Sequence, residues 1–125
     1  MGDRIVVIDD DEDFRLTIKD ILEKAGYEVR LAGDGVTGLN LILESKPALV
    51  LADWVMPVMD GLQFVESLRA SEQVGDVPVI MLTVKRSSKE RDQALAAGAA
   101  DYIMKPFETE NLLERVRAAI DRKPA

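Results

Sequence analysis

The sequence alternates short apolar runs with segments of helical periodicity, and this alternation constrains the fold more than any other feature. The apolar runs have the length and composition of buried strands, and a further run alternates polar with apolar residues, as a half-exposed strand does. The predicted strands are residues 5–8, 28–32, 48–53, 77–82 and 101–104. The predicted helices begin near Phe14, Asp34, Gly61, Ser88 and Glu108. Five βα units in succession predict a parallel sheet with helices on both faces.

The strand patterns also predict the order of the sheet. Residues 28–32 alternate, which favours an edge strand, whereas the first, third and fourth strands are apolar throughout and belong in the centre. A chain of 125 residues fits one domain. We therefore predict a single α/β, doubly wound (βα)5 domain of the flavodoxin-like kind, with a parallel five-stranded sheet in the order 2-1-3-4-5.

Polar side chains with complementary chemistry stand at four predicted strand ends. Asp9 and Asp10 follow the first strand, Asp53 closes the third, Thr83 follows the fourth and Lys105 follows the fifth. Open α/β folds bind ligands at this edge of the sheet. Converging carboxylates repel one another, and a hard cation such as Mg²⁺ relieves that repulsion, whereas a hydroxyl and an ammonium suit a phosphoryl group.

Each of these residues also has a plainer interpretation when it is taken alone. The acids at positions 11–13 suit the start of a helix, Asp53 suits a loop, Thr83 suits a helix N-cap, and Lys105 suits a solvated surface. The combination of all four strand ends favours a shared site. A cis bond between Lys105 and Pro106 would turn the lysine back over that site, but the sequence leaves the isomer open.

Composition excludes several classes of function. The chain has no cysteine and no histidine, which excludes a Ser-His-Asp triad, a thiolate or imidazole metal site, and a role as a histidine phosphodonor. Its net charge of −7 argues against direct nucleic-acid binding by this domain. No apolar stretch approaches about 18 residues, and the N-terminus does not resemble a signal peptide. We therefore expect no membrane segment and a cytoplasmic location.

Several motifs, in order, resemble the receiver domain of two-component response regulators, including the single-domain chemotaxis regulator. The resemblance covers essentially all 125 residues. Each motif is weak alone, but the ordered set at these spacings is specific. The residues that carry it are Val7, Ile8, Asp9 and Asp10, then Asp53, Trp54, Val55, Met56, Pro57 and Gly61, then Leu82 and Thr83, then Gly98 to Tyr102, and finally Lys105, Pro106 and Phe107.

The resemblance implies a role for each site residue. Asp53 corresponds to the phosphoacceptor, which would take its phosphoryl group from a sensor histidine kinase or a phosphotransfer protein. Asp10 corresponds to a direct Mg²⁺ ligand and Asp9 to a ligand through water, and the backbone carbonyl of Val55 would complete the protein ligands. Thr83 and Lys105 would bind the phosphoryl group, and Thr83 and Tyr102 would act as the switch.

The resemblance also implies how the signal would leave the domain. The face built by the fourth helix, the fifth strand and the fifth helix would be read by a downstream effector domain or protein. A homodimer formed on phosphorylation stays open, although Ala100 stands where one subgroup of transcription factors often has Asp. Val84 stands where a small residue is usual, so we expect slow autodephosphorylation. Beyond phosphotransfer to itself, we expect no enzymatic activity, and an effector domain after Ala125 stays open.

Three alternative functions remain to be compared with this one. A haloacid-dehalogenase-like phosphatase would need a Thr two residues after an Asp-x-Asp pair, and position 13 is Asp. A flavin- or nucleotide-binding module would need a loop rich in glycine or hydroxyl groups after the first strand, where this chain has acids. A degenerate receiver that acts only as an interaction module would lack site residues, and all five site positions are filled.

Overall fold

The computed structural model of the protein describes residues 2–84 and 87–121. Strands and helices alternate along the whole of the described chain. The strands are β1 (Arg4–Ile8), β2 (Glu28–Ala32), β3 (Leu49–Ala52), β4 (Val79–Thr83) and β5 (Asp101–Met104). The helices are α1 (Glu12–Lys24), α2 (Gly35–Glu44), α3 (Gly61–Arg69), α4 (Ser88–Ala97) and α5 (Thr109–Asp121).

All strand pairs are parallel and follow the order β2-β1-β3-β4-β5, which confirms the predicted topology with β2 at an edge. Beyond the last paired residues, backbone hydrogen bonds continue the ladders. The N–H of Asp53 donates to Ile8 O at 3.0 Å, and the N–H of Lys105 donates to Thr83 O at 2.8 Å. The register therefore brings the ends of β1, β3, β4 and β5 to one edge of the sheet.

The alternation of side chains along the central strands builds one core on each face of the sheet. One core contains Val6, Ile8, Val50 and Met81 and is covered by α2, α3 and α4. The other core contains the residues between them in sequence, such as Val7 and Leu51, and is covered by α1 and α5. Because both faces are buried, the central strands are apolar throughout, as the sequence predicted.

Several predicted strand boundaries were wrong by one or two residues. β1 begins one residue earlier, at Arg4, and β3 is one residue shorter at each end, so Asp53 follows β3 and does not close it. β4 begins at Val79 and not at Val77, because Pro78 has no N–H to give to a ladder, although its carbonyl accepts from Val50 N–H at 3.0 Å. The end of β4 lies one residue further than predicted, because Thr83 pairs with Met104 and is the last residue of the strand. The sequence pattern also predicts that the last helix ends at Arg122, a residue that lies outside the described part of the chain.

The caps explain where the helices start. Asp11 accepts from Phe14 N–H at the start of α1, and Asp34 accepts from Thr37 N–H at the start of α2, as predicted for Asp34. Ser87 caps α4, so Thr83 is not the cap that its isolated position suggested. Within the part of the chain that the structure describes, no helix has the length and apolar character of a membrane span.

Arg69, at the end of α3, ties that helix to the C-terminus of α4. Its guanidinium donates to Gly98 O at 3.1 and 2.8 Å, to Gly75 O at 2.9 Å, and to Val77 O. Gly98 has a left-handed backbone with φ of 116°, and a Cβ at this position would lie 2.9 Å from Arg69 Nε. This arginine therefore links the end of α3 to two other backbone segments, residues 75–77 and Gly98, through one partly buried cation.

Candidate functional site

Three carboxylates converge at the edge of the sheet where β1 and β3 end. One oxygen from each of Asp9, Asp10 and Asp53 lies within 4.8 Å of the others. The residues Asp9 and Asp53 are only 2% and 9% exposed, while Asp10 faces solvent. Hard oxygen donors in such a cluster fit a divalent cation of the Mg²⁺ type, since the cation would offset the repulsion between them.

Asp9 is held through both its backbone and its side chain. Its N–H donates to Ala32 O at 3.1 Å, and its carbonyl accepts from Arg15 Nη1 at 2.6 Å. Its Oδ1 accepts from Asp11 N–H at 2.9 Å, and its Oδ2 accepts from Lys105 Nζ at 2.9 Å. These contacts fix the direction in which the carboxylate points.

Lys105 links the two buried carboxylates. Its Nζ lies 2.9 Å from Asp9 Oδ2 and 3.3 Å from Asp53 Oδ2, and its side chain is only 15% exposed. The bond between Lys105 and Pro106 is cis, one of the two isomers that the sequence left open. The ammonium thus contributes a positive charge directly against the acidic cluster.

The ionised form of Asp53 is unfavourable in this position. Burial is the main cause that raises the pKa of its carboxyl group above the ordinary value, and the charge of Asp9 raises it further. The ammonium of Lys105 and the N–H of Val55, which donates to Asp53 Oδ1 at 3.3 Å, act in the opposite direction. On balance the pKa is raised, so an added positive charge would stabilise the ionised carboxylate.

The residues predicted to form the switch border this cluster on the side of β4 and β5. Thr83 is fully buried at the end of β4. Tyr102 on β5 is 7% exposed and packs edge-on against the Trp54 ring, with centroids 6.4 Å apart and planes at 83°. Burial raises the pKa of the Tyr102 hydroxyl, and the charges of Glu90 and Asp53 add to this rise.

Comparison with known proteins decides the family to which this arrangement belongs. The family model of the response regulator receiver domain matches residues 5–117. The chain belongs to this family. It is therefore a receiver domain of two-component response regulators, a class that works in phosphorelay signalling.

Individual relatives agree with this assignment. The response regulator MprA of Mycobacterium sp. (strain KMS) is 44% identical over 119 residues, which are 95% of this chain and 51% of MprA. The chain thus spans about half the length of the curated relatives it matches. The chemotaxis protein CheY4 of Vibrio cholerae is similar in structure, with a TM-score of 0.90, 31% identity, and coverage of 95% of this chain and 99% of CheY4.

A third similar structure contains a metal ion. It is the receiver domain of the sensor histidine kinase PA1611 from Pseudomonas aeruginosa PAO1, with a magnesium ion coordinated in its active site cleft. The TM-score is 0.90 at 30% identity, and the match covers 98% of this chain and all of that domain.

The β3–α3 loop of this receiver folds tightly against the backbone of Asp53. Met59 N–H donates to Pro57 O at 2.7 Å, and the intervening Val58 adopts φ of 69°, a left-handed conformation that is rare for a β-branched residue. The loop closes where Gly61 N–H donates to Trp54 O at 2.8 Å. Local strain of this kind is concentrated at functional sites.

Sequence reasoning missed two residues that contact the site. Phe14 has the helical spacing of an apolar core residue, which predicts only a packing role, but Lys105 Nζ lies 3.8 Å from its ring centroid. Arg15 was not singled out, although it donates to the Asp9 carbonyl. Their positions in the first turn after the acids at positions 9–11 are the only signal that could have drawn attention to them.

Proposed function

We propose that this receiver accepts a phosphoryl group on the carboxylate of Asp53 in a Mg²⁺-dependent reaction, with a sensor histidine kinase or a phosphotransfer protein as donor. The observation that supports this most strongly is the convergence of Asp9, Asp10 and Asp53 with the ammonium of Lys105. Such a site combines a nucleophilic carboxylate, a place for a hard cation and a positive charge for phosphoryl oxygens.

Asp53, Lys105 and Thr83 have different roles in the proposed phosphoryl transfer. An oxygen of Asp53 attacks phosphorus, the new O–P bond forms as the P–N bond to the donor imidazole breaks, and the bonding electron pair leaves with that nitrogen. Lys105, which already contacts Asp53 Oδ2, turns its ammonium to an oxygen of the phosphoryl group. Thr83 donates its hydroxyl to another of those oxygens.

The metal would be held beside the carboxylates of Asp9, Asp10 and Asp53, which lie close together. Asp10, Asp53 and the backbone carbonyl of Val55 would ligate Mg²⁺ directly, and Asp9 would ligate it through water. When it is bound, the ion offsets negative charge on the carboxylates and on the phosphoryl oxygens. The hydrogen bonds to both oxygens of Asp9 keep that carboxylate directed at the site.

The signal would leave through the face formed by α4, β5 and α5. Tyr102 contacts both the site and this face. Its ring packs against Trp54 beside Asp53, and the residue also lines a cleft of about 270 Å³ between α4 and α5. A movement of Thr83 and Tyr102 toward the phosphoryl group would therefore change that cleft. Arg115 on α5 pairs with Asp101 on β5 at 2.7 Å, and this contact would couple the two elements of the face.

The partner on that face would be a downstream effector, either a further domain of a longer regulator or a separate protein. A homodimer formed on phosphorylation would use the same face. In this proposal residues 1–125 form the receiver domain, and they make no direct contact with nucleic acid.

Trp54 provides the test of the proposed function, because it follows Asp53 and is the only tryptophan in the chain. We expect Mg²⁺ to change its fluorescence, and a small phosphodonor or beryllofluoride to change it further. Asp53→Asn should abolish the donor response and retain weak Mg²⁺ binding. Full-stoichiometry labelling of Asp53→Asn would contradict the assignment.

The same preparation distinguishes the alternatives. Continuous turnover of a phosphate ester would favour the phosphatase, whereas a folded wild-type chain that takes up no phosphate from any donor would favour the degenerate receiver.

Loss of the phosphoryl group is expected to be slow because Val84 lies directly after Thr83 and is exposed at the rim of the site. A β-branched side chain at this position would hinder the attacking water. The rate of phosphate loss should rise in Val84→Ala, and equal rates in the two proteins would remove this argument.

A further inference from the structure

We propose that the aromatic ring of Phe14 positions the ammonium of Lys105 in the acidic site, which makes Phe14 a positioning residue for phosphoryl acceptance. This inference rests on the proposed function, since it concerns the lysine that would bind the phosphoryl group. Phe14 also packs against the core that α1 and α5 cover, so its contact with Lys105 is additional to a packing role.

The geometry places Lys105 between two carboxylates and a ring face. Its Nζ lies 2.9 Å from Asp9 Oδ2, 3.3 Å from Asp53 Oδ2 and 3.8 Å from the centroid of Phe14. A separation well within about 6 Å of the centroid is a cation–π contact. The ammonium therefore contacts the ring face in addition to the two carboxylate oxygens.

Phe107 fixes the orientation of that ring. The two phenylalanine rings meet at 88° with centroids 6.1 Å apart, the edge-to-face arrangement that aromatic quadrupoles favour. Phe14 belongs to the first turn of α1, and Phe107 lies in the loop between β5 and α5, two residues after Lys105. The aromatic pair thus joins two elements on either side of the lysine.

A ring face suits this task because it attracts a cation without being an anion. Phosphorylation requires Lys105 to exchange a carboxylate for a phosphoryl oxygen, and an additional carboxylate at the position of Phe14 would repel the phosphoryl group. The quadrupole of the ring holds the ammonium near the site through that exchange, and the ring also excludes water from one side of it. Cation–π attraction grows when the cation is desolvated, and the Lys105 side chain is only 15% exposed.

Two substitutions separate the ring face from apolar packing. Phe14→Leu keeps a large apolar side chain but removes the π system, whereas Phe14→Tyr keeps the ring, and its added hydroxyl can reach solvent because Phe14 is only partly buried. With Mg²⁺ and a small phosphodonor, and without a kinase, we expect Phe14→Leu to label Asp53 about 3- to 10-fold more slowly than wild type. Phe14→Tyr should remain within about twofold of wild type.

A double-mutant cycle tests whether Phe14 acts through Lys105. Removing the ring should slow labelling in the wild-type background but should change nothing further in a Lys105→Met background, because no ammonium is left to position. A purely structural role of Phe14 would slow both backgrounds by the same factor, and that result would overturn the proposal. Equal labelling rates of Phe14→Leu and Phe14→Tyr would also overturn it.

Proton NMR of the wild type needs no substitution. The ε-methylene protons of Lys105 should be shifted upfield by the ring current, relative to those of the exposed Lys24. An ordinary chemical shift for Lys105 would overturn the proposal even if Phe14→Leu failed to fold. Failure of the wild type to accept phosphate would instead contradict the proposed function, so the two failures are distinguishable.

Discussion

Gly61 is the position at which a single methyl group should disturb the site most directly. A Cβ built on it would lie 2.4 Å from Asp53 O, 2.5 Å from Met81 Cε and 2.7 Å from Trp54 Cα. Two of these three atoms belong to backbone, which cannot rotate away as a side chain can. Gly61→Ala must therefore move the start of α3 or the backbone of Asp53 by about 1 Å to restore ordinary contact distances.

The magnitude follows from two opposing terms. Overpacking of a close contact costs about 1–3 kcal/mol, and exchanging Gly for Ala in a helix returns at most about 1 kcal/mol. We expect Gly61→Ala to lower the free energy of unfolding by roughly 1–2 kcal/mol. A displacement of this size at the nucleophile should slow phosphoryl acceptance by about 10- to 100-fold.

Gly35 provides a matched control. Both glycines are the first residue of a helix capped by Asp, namely α2 for Gly35 and α3 for Gly61. A Cβ on Gly35 would meet only the side chain of Met59, with Sδ at 2.9 Å, and a flexible thioether can move. Gly35→Ala should change stability by less than about 1 kcal/mol and leave the labelling rate within about twofold.

Urea unfolding followed by Trp54 fluorescence gives the stability of both variants, and labelling of Asp53 by a small phosphodonor gives the rate. Equal losses of stability in the two variants, or labelling of Gly61→Ala at the wild-type rate, would contradict this expectation. Either result would mean that the backbone at Asp53 is more compliant than its contacts indicate.

Three further predictions concern single residues. Arg69→Met should lower the free energy of unfolding, measured by urea denaturation, by about 3 kcal/mol, because three backbone carbonyls lose a charged donor. Arg69→Lys should recover only part of that loss. Asp34→Ala should cost about 1 kcal/mol at pH 7. Because hydrogen bonds from Thr37 hold the pKa of Asp34 below 3.8, that difference should vanish as the pH falls through the folded value. Asp53→Asn should stabilise the metal-free protein at pH 7. Because folding raises the pKa of Asp53 above 3.8, the free energy of unfolding of the wild type falls as the pH rises from 3.8 through the pKa of the folded state. The stabilisation by Asp53→Asn should therefore disappear below pH 3.8, as acid unfolding curves of the two proteins would show.

The strand ends were predictable because they depend on local patterns and on one topological rule. Apolar runs that stop at Asp9, Asp53, Thr83 and Lys105 define the ends of four strands, and a parallel sheet brings such ends to one edge. The predicted order was confirmed by the pairing of β1 with both β2 and β3. No distant contact had to be known for this inference.

Contacts that depend on tertiary placement were not predictable. Phe14 has the helical spacing of a core residue, and only the approach of the β5–α5 loop brings Lys105 over its ring. Arg69 looks like a surface arginine in the sequence, and its partners are backbone carbonyls, which have no sequence signature. The two-residue error at the start of β4 has a local cause, because the pattern of apolar residues outweighed the missing N–H of Pro78.

The same contacts that prepare the site for chemistry also reduce its stability. Asp53 is buried beside Asp9, and both causes raise its pKa, so the folded chain holds a carboxylate that would be more stable in water. Lys105 offsets part of this cost, but it does so through a geometry shared between two carboxylates and a ring. If Lys105 gave up one of these partners it would keep the others, so in the proposed reaction it would exchange a carboxylate for a phosphoryl oxygen without becoming unpaired. The unfavourable charge at Asp53 and the shared position of Lys105 are therefore two parts of one arrangement, in which a positive charge added at the site would relieve a repulsion already present in the resting fold.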